Sequence, residues 1–192
     1  TDGQTTDLVI HKYLGPVQSP LLPNDGNAVT GITADPLSGI QFDVYKVSQW
    51  LDTMGTPDAT DDVWKNVDLT TNAGWEQAAS VYGCMVTAAM IPGPITCGGI
   101  QYKLTLATSG ETVGGAATFE DQAVGLYLAD SSYTSASSLS PAAPFFVTLP
   151  MTDTDGLDGV AGNTDDRMNW LDTVHVYPKN QQDSITKTVS DG

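Results

Sequence analysis

Residues 170–180 read Trp170-Leu171-Asp172-Thr173-Val174-His175-Val176-Tyr177-Pro178-Lys179-Asn180. Val174 and Val176 alternate with His175 and Tyr177, the period of a strand with one buried face. The valines are expected to point inward. His175, Tyr177 and, if the strand continues, Lys179 then point the other way. Pro178 has no N–H to give to a ladder, so it sits on an edge or ends the strand. Lys179 is thereby held near a strand end by a stiff residue, with its amine free. Such a lysine suits attack on an acyl group once its proton is lost, which apolar burial favours and neighbouring carboxylates oppose. Taken alone, the same residues also describe a strand, a proline turn and a solvated lysine.

Outward from this stretch, strand-like runs recur. Residues 7–13 (DLVIHKY) form the first. Residues 40–47 (IQFDVYKV) put Ile40, Phe42 and Val44 on one face. Residues 100–107 alternate Tyr102, Leu104 and Leu106 against Gln101, Lys103 and Thr105. Residues 116–119, 124–128, 145–149 and 171–177 complete the set, each bounded by Gly, Pro, Asp or Ser. Short strands without alternating helices predict an all-β sandwich. One segment breaks the pattern. Trp75, Ala78, Ala79 and Tyr82 recur at helical spacing, with Thr71 or Asn72 as N-cap. Residues 53–99 are expected to leave the sheet as a long insertion with one short helix, packed over the sandwich or over a neighbouring chain. Trp64 and Trp75 are expected to be core or cover residues rather than a ligand platform. Residues 131–140 are Ser-rich and read as a surface loop.

The 192 residues suffice for one large or two small domains. Seven basic against 23 acidic residues give a net charge of −16, which repels nucleic acid and anionic membrane surfaces. No apolar run is long enough to span a bilayer, and no signal peptide opens the sequence. Asp153, Asp155 and Asp158 sit among glycines, a composition that suits a hard cation such as calcium (Ca2+). Their spacing departs from that of a calcium loop, so a solvated acidic loop is the expectation and no cofactor is required. His11 and His175 are the chain's histidines, and they neighbour each other if the first and last strands pair. A metal pair is one outcome; two surface strand residues are the expected one. No Ser-His-Asp spacing, phosphate-binding glycine loop or paired carboxylate motif points to an enzyme.

The pattern WxxxVxVYPKN resembles the pilin motif of the backbone subunits of Gram-positive, sortase-assembled pili. The likeness extends to residues 8–13 (LVIHKY), 37–47 (LSGIQFDVYKV), 117–119 (ATF), 124–128 (VGLYL) and 140–151 (SPAAPFFVTLPM), in the order of that family's N-terminal domain. Residues 53–99 match no pattern of it. The resemblance implies an immunoglobulin-like (CNA-B-like) β-sandwich. Residues 1–180 would form the pilin N-terminal domain, and residues 181–192 would begin a linker to further domains. It also implies that Lys179 is the amine acceptor that a sortase joins to the sorting-signal threonine of the next subunit. Trp170, Val174, Val176, Tyr177, Pro178 and Asn180 make up the rest of the motif. The sortase is then the catalyst and this chain its substrate. The implied partners are identical subunits, joined covalently head to tail, and a pilus sortase; the implied place is a cell-wall-anchored extracellular pilus. The sorting signal, hydrophobic stretch and basic tail of such substrates are expected in a longer protein of which this is an N-terminal piece.

In that extracellular setting Cys84 and Cys97 are expected to form a structural disulfide, since Pro92, Gly93 and Pro94 let the intervening segment turn back. Two free thiols or a metal site are the alternatives, and no nearby histidine supports zinc. Domains of this family often carry an internal lysine–asparagine or lysine–aspartate isopeptide bond assisted by a glutamate. Lys12 stands where the linking lysine often lies. Asp130 replaces the glutamate one position early, and no asparagine partner stands out, so an ordinary strand lysine is expected. An adhesin or binding module for host glycan or matrix protein is the alternative function, with residues 53–99 as its place. A metal-dependent hydrolase on the acidic loop is a third.

Overall fold

The computed structural model describes residues 5–14, 25–133, 141–153 and 170–178. Among them are nine strands and one short α-helix, in two sheets. The smaller sheet places β1 (Thr5–His11) between β6 (Ala116–Ala123) and β9 (Thr173–Val176). β1 runs antiparallel to β6 and parallel to β9. The larger sheet is centred on β2 (Ile40–Asp52), which pairs on one side with β5 (Ile100–Glu111) and on the other with β7 (Gly125–Tyr133). β4 (Ile95–Cys97) extends the β5 side, and β8 (Phe145–Leu149) extends the β7 side. Where β7 begins, β3 (Val63–Asn66) takes over its edge of β2.

Two apolar cores lie on opposite faces of the larger sheet. Leu8, Ile10, Phe42, Val44, Ala117, Phe119 and Val174 fill the first, between the two sheets. Val47, Val67, Leu69, Val81, Val86, Ile95 and Tyr102 fill the second, beneath the insertion. β7 shows why both exist. Leu126 and Leu128 enter the second core while Tyr127 and Ala129 enter the first, so a continuous apolar run is buried on both faces.

The insertion runs from the end of β2 to the start of β5, as expected, and packs on the sandwich. It also contributes β3, which the polar composition of residues 58–68 concealed, and the three-residue β4. The helix α1 (Asn72–Ser80) is capped by Thr71, whose Oγ1 accepts a hydrogen bond from Gly74 N at 3.1 Å. Its buried residue is Gly74, where a Cβ would collide with the Asp68 carbonyl oxygen, so the close approach of the helix to that carbonyl requires glycine. Tyr82 is 93 % exposed. Cys84 and Cys97 are disulfide-bonded with Cα atoms 5.5 Å apart, tying the end of α1 to β4. Leu106 departs from its predicted inward position: it is exposed because the second core covers β5 only as far as Leu104. Residues 131–133 continue β7 instead of opening a loop.

Candidate functional site

The site is the end of β9. The β1–β9 ladder pairs Asp7 with Thr173 through to Ile10 with Val176 and stops there. Val174 is fully buried in the first core, as the alternation requires. The other face is not open to solvent. Residues 25–29 run along the edge of β9 away from β1 and reach that face: His175 N donates to Gly26 O at 2.7 Å, and Val29 N donates to the Tyr177 hydroxyl at 2.8 Å. Tyr177, expected to face outward, is therefore buried. Its ring lies flat on His11, with centroids 4.5 Å apart and planes 9° apart.

His11 and His175 come together as the pairing of first and last strands requires. His11 Nε2 and His175 Nδ1 lie 2.9 Å apart and share one proton, one ring donating and the other accepting. They are half-buried rather than surface residues, because Tyr177 and residues 25–29 cover them. Burial holds both below the usual histidine pKa, and the neighbouring His175 adds to the effect on His11. For Tyr177, burial raises the phenol pKa, and the Val29 N–H works against that shift.

Lys12 follows Leu8 and Ile10 on the inward face of β1 and, like them, is fully buried. Its Nζ donates to the Pro178 carbonyl oxygen at 3.3 Å. Burial pushes its pKa down to about 8. Asp130, weighed as the helper acid of an internal isopeptide bond, sits opposite Asp43 in the β2–β7 ladder, and burial raises its pKa. At the other end of the motif, Trp170 is exposed and stacks on Trp75 of α1, with centroids 6.2 Å apart. Lys179 and Asn180 lie outside the described residues, as do Asp155 and Asp158 of the acidic loop; Asp153 lies within them.

A groove of about 810 Å³ lies beside the motif and is lined in part by Pro178. It is lined by Phe145, Phe146 and Val147 of β8, by Val81 and Tyr82 of the insertion, and by Val176, Tyr177 and Pro178 of the motif. Sequence reasoning missed this groove and the 25–29 segment. The signal available for the segment was Asp25-Gly26-Asn27, a turn pattern. Asn27 N donates to Asp25 Oδ1 at 2.9 Å, and Gly26 has φ +86°. A Cβ on Gly26 would also lie 2.8 Å from Leu171 Cδ1, so glycine is required twice over.

The family described as Gram-positive pilin subunit D1, N-terminal domain, matches residues 3–181. The type 1 fimbrial subunit of Actinomyces viscosus is 31% identical over 192 residues, covering 99% of this chain and 28% of that protein. The type 2 fimbrial subunit of Actinomyces naeslundii is 29% identical over 185 residues, covering 96% of this chain and 30% of that protein. The chain thus spans about three-tenths of the length of these curated relatives. Among solved structures, the solution structure of the Corynebacterium diphtheriae SpaA pilin–signal peptide complex is similar with a TM-score of 0.57 at 25% identity. That likeness covers 92% of this chain and 97% of the other. The relatives are fimbrial and pilin subunits, and the all-β, immunoglobulin-like architecture agrees with theirs. Among the described residues, no helix is long and apolar enough to cross a membrane.

Proposed function

Because the chain belongs to the family of Gram-positive pilin subunit D1 N-terminal domains, we propose that Lys179 is the amine through which a sortase joins successive subunits of a cell-surface pilus. The sortase cysteine holds the sorting-signal threonine of another subunit as a thioester. The neutral Lys179 amine attacks that carbonyl. A C–N bond forms, the C–S bond breaks, the thiolate leaves, and the amine proton passes to a base. The product is an isopeptide bond between identical subunits, arranged head to tail. This transfer needs no metal or cofactor from the chain.

The observation that supports this best is the placement of Pro178. It stands just past a strand held on both edges, by β1 and by Gly26, and it lines an apolar groove. Concave, mostly apolar surfaces with a few polar groups are where extended peptides dock. A similar pilin chain has been solved in complex with a signal peptide. We assign the groove here to the incoming sorting segment, which would bring its threonine to the residue after Pro178. Residues 1–180 would then be the domain that presents the acceptor, with residues 181–192 leading away from it.

The test is a ligation assay. The protein is incubated with a pilus sortase and a sorting-signal peptide, and the product is mapped by mass spectrometry. Peptide joined to Lys179, and no product with Lys179→Ala, is the expected result. Linkage at another lysine, or none with a sortase active on a control pilin, overturns the assignment.

A further inference from the structure

We infer that Lys12 is a positioning residue for the acceptor: its ammonium holds the Pro178 carbonyl and, with it, the peptide plane that carries Lys179. This rests on the role proposed above for Lys179. The carbonyl oxygen of residue 178 and the nitrogen and Cα of residue 179 belong to one planar unit. The pyrrolidine ring already fixes φ of Pro178. A hydrogen bond on that oxygen removes the main rotation left, ψ of Pro178, and so sets the direction in which Lys179 departs.

The strands cannot supply this restraint themselves. The β1–β9 ladder ends at Ile10 and Val176, and Pro178 has no N–H with which to extend it. The backbone of Lys12 is committed elsewhere, its N–H donating to Gly115 O at 2.7 Å and its carbonyl accepting from Leu37 N at 2.9 Å. The side chain is the part of Lys12 that reaches the end of β9, at 3.3 Å.

The position is also a costly one for a lysine. Leu8, Ile10 and Lys12 share one face, and each is 0 % exposed. Burying an ammonium there opposes folding, and an apolar side chain of the same length would fill the space without that penalty. Holding a carbonyl next to a nucleophile is a role an apolar side chain cannot take over. Acyl transfer depends on a near-attack geometry, and small misplacements cost large factors in rate.

The experiment compares the unaltered protein with Lys12→Met, which keeps the length of the stem and removes the donor. Ligation at Lys179 is followed over a range of sorting-peptide concentrations. The expected result is a turnover lower by about tenfold or more, with the peptide concentration for half-maximal rate changed less than about twofold. An equal turnover in a folded Lys12→Met overturns the inference, as does a loss confined to peptide binding. A second measurement needs no variant. In the unaltered protein, labelled at the Pro178 carbonyl carbon, the NMR shift of that carbon should titrate with a midpoint near the Lys12 pKa of about 8. A flat titration means that the bond is absent and overturns the inference even if Lys12→Met fails to fold. If the unaltered protein is not ligated at Lys179, the proposed function fails, while the carbonyl titration still reports on the Lys12–Pro178 bond.

Discussion

His11 and His175, 164 positions apart in sequence, meet through a single 2.9 Å hydrogen bond between facing ring nitrogens. One proton fits between those nitrogens and two do not. The pair can accept a first added proton on an outer nitrogen. A second would turn two N–H groups and two positive charges against each other. Because the bond joins β1 to β9, its protonation state bears on the strand that carries the pilin motif.

Acid should weaken the fold in a defined window. Both histidines have folded-state pKa values below the ordinary 6.5. As pH falls through 6.5 the unfolded chain therefore takes up protons that the folded chain refuses, and stability is lost with a slope of at most about 1.4 kcal/mol per pH unit for each proton. Melting temperature measured from pH 7 to pH 5 should fall, and His175→Gln should flatten the decline. This window lies above the one for Asp52, Asp58 and Asp68, whose hydrogen bonds hold their carboxyls below the usual range. An unchanged slope in His175→Gln would remove the pair as its cause.

Base should act the other way, through Lys12. Its pKa falls from 10.5 unfolded to about 8 folded, so between those values the unfolded chain binds the extra proton and stability rises with pH. The difference corresponds to roughly 3 kcal/mol at neutral pH. Denaturant unfolding at pH 7.5 and 9.5 should show the rise, and Lys12→Met should abolish it while being at least as stable at pH 7.5. The measurement must stop short of pH 10. There the buried Tyr127, pushed up to about 12, begins to act in the opposite direction.

Trp75 and Trp170 join the insertion to the start of the motif strand, stacked with planes 12° apart. A double-mutant cycle with both changed to alanine should give a coupling of about 0.5–1.5 kcal/mol. Coupling indistinguishable from zero would mean that this stacking does not tie the insertion to the motif.

Removing the Cys84–Cys97 disulfide by a double change to serine should cost about 3 kcal/mol in the chain-entropy account. The loss should concentrate in the insertion. Hydrogen exchange should quicken in α1 and β4 while β1, β6 and β9 keep their protection. A uniform loss across both sheets would show that the second core does not unfold by itself.

Local chemistry made much of this protein legible. Alternation placed Ile40, Phe42, Val44 and Val174 on buried faces, and each is buried. Thr71 or Asn72 announced the start of α1, of which Thr71 is the cap, and residues 170–180 announced both the motif strand and its family. These are properties of neighbours along the chain, where periodicity, capping and proline act directly. The failures have a common cause as well. Alternation says which way Tyr177 points but not what covers it, and the cover comes from residues 25–29, nearly 150 positions away. Lys12 reads as a strand lysine until the β1–β9 register places its amine on Pro178. The groove, the histidine pair and the lysine–carbonyl bond all depend on which strands become neighbours. That choice is made by the burial of whole faces and the register it imposes, so tertiary structure alone decides it.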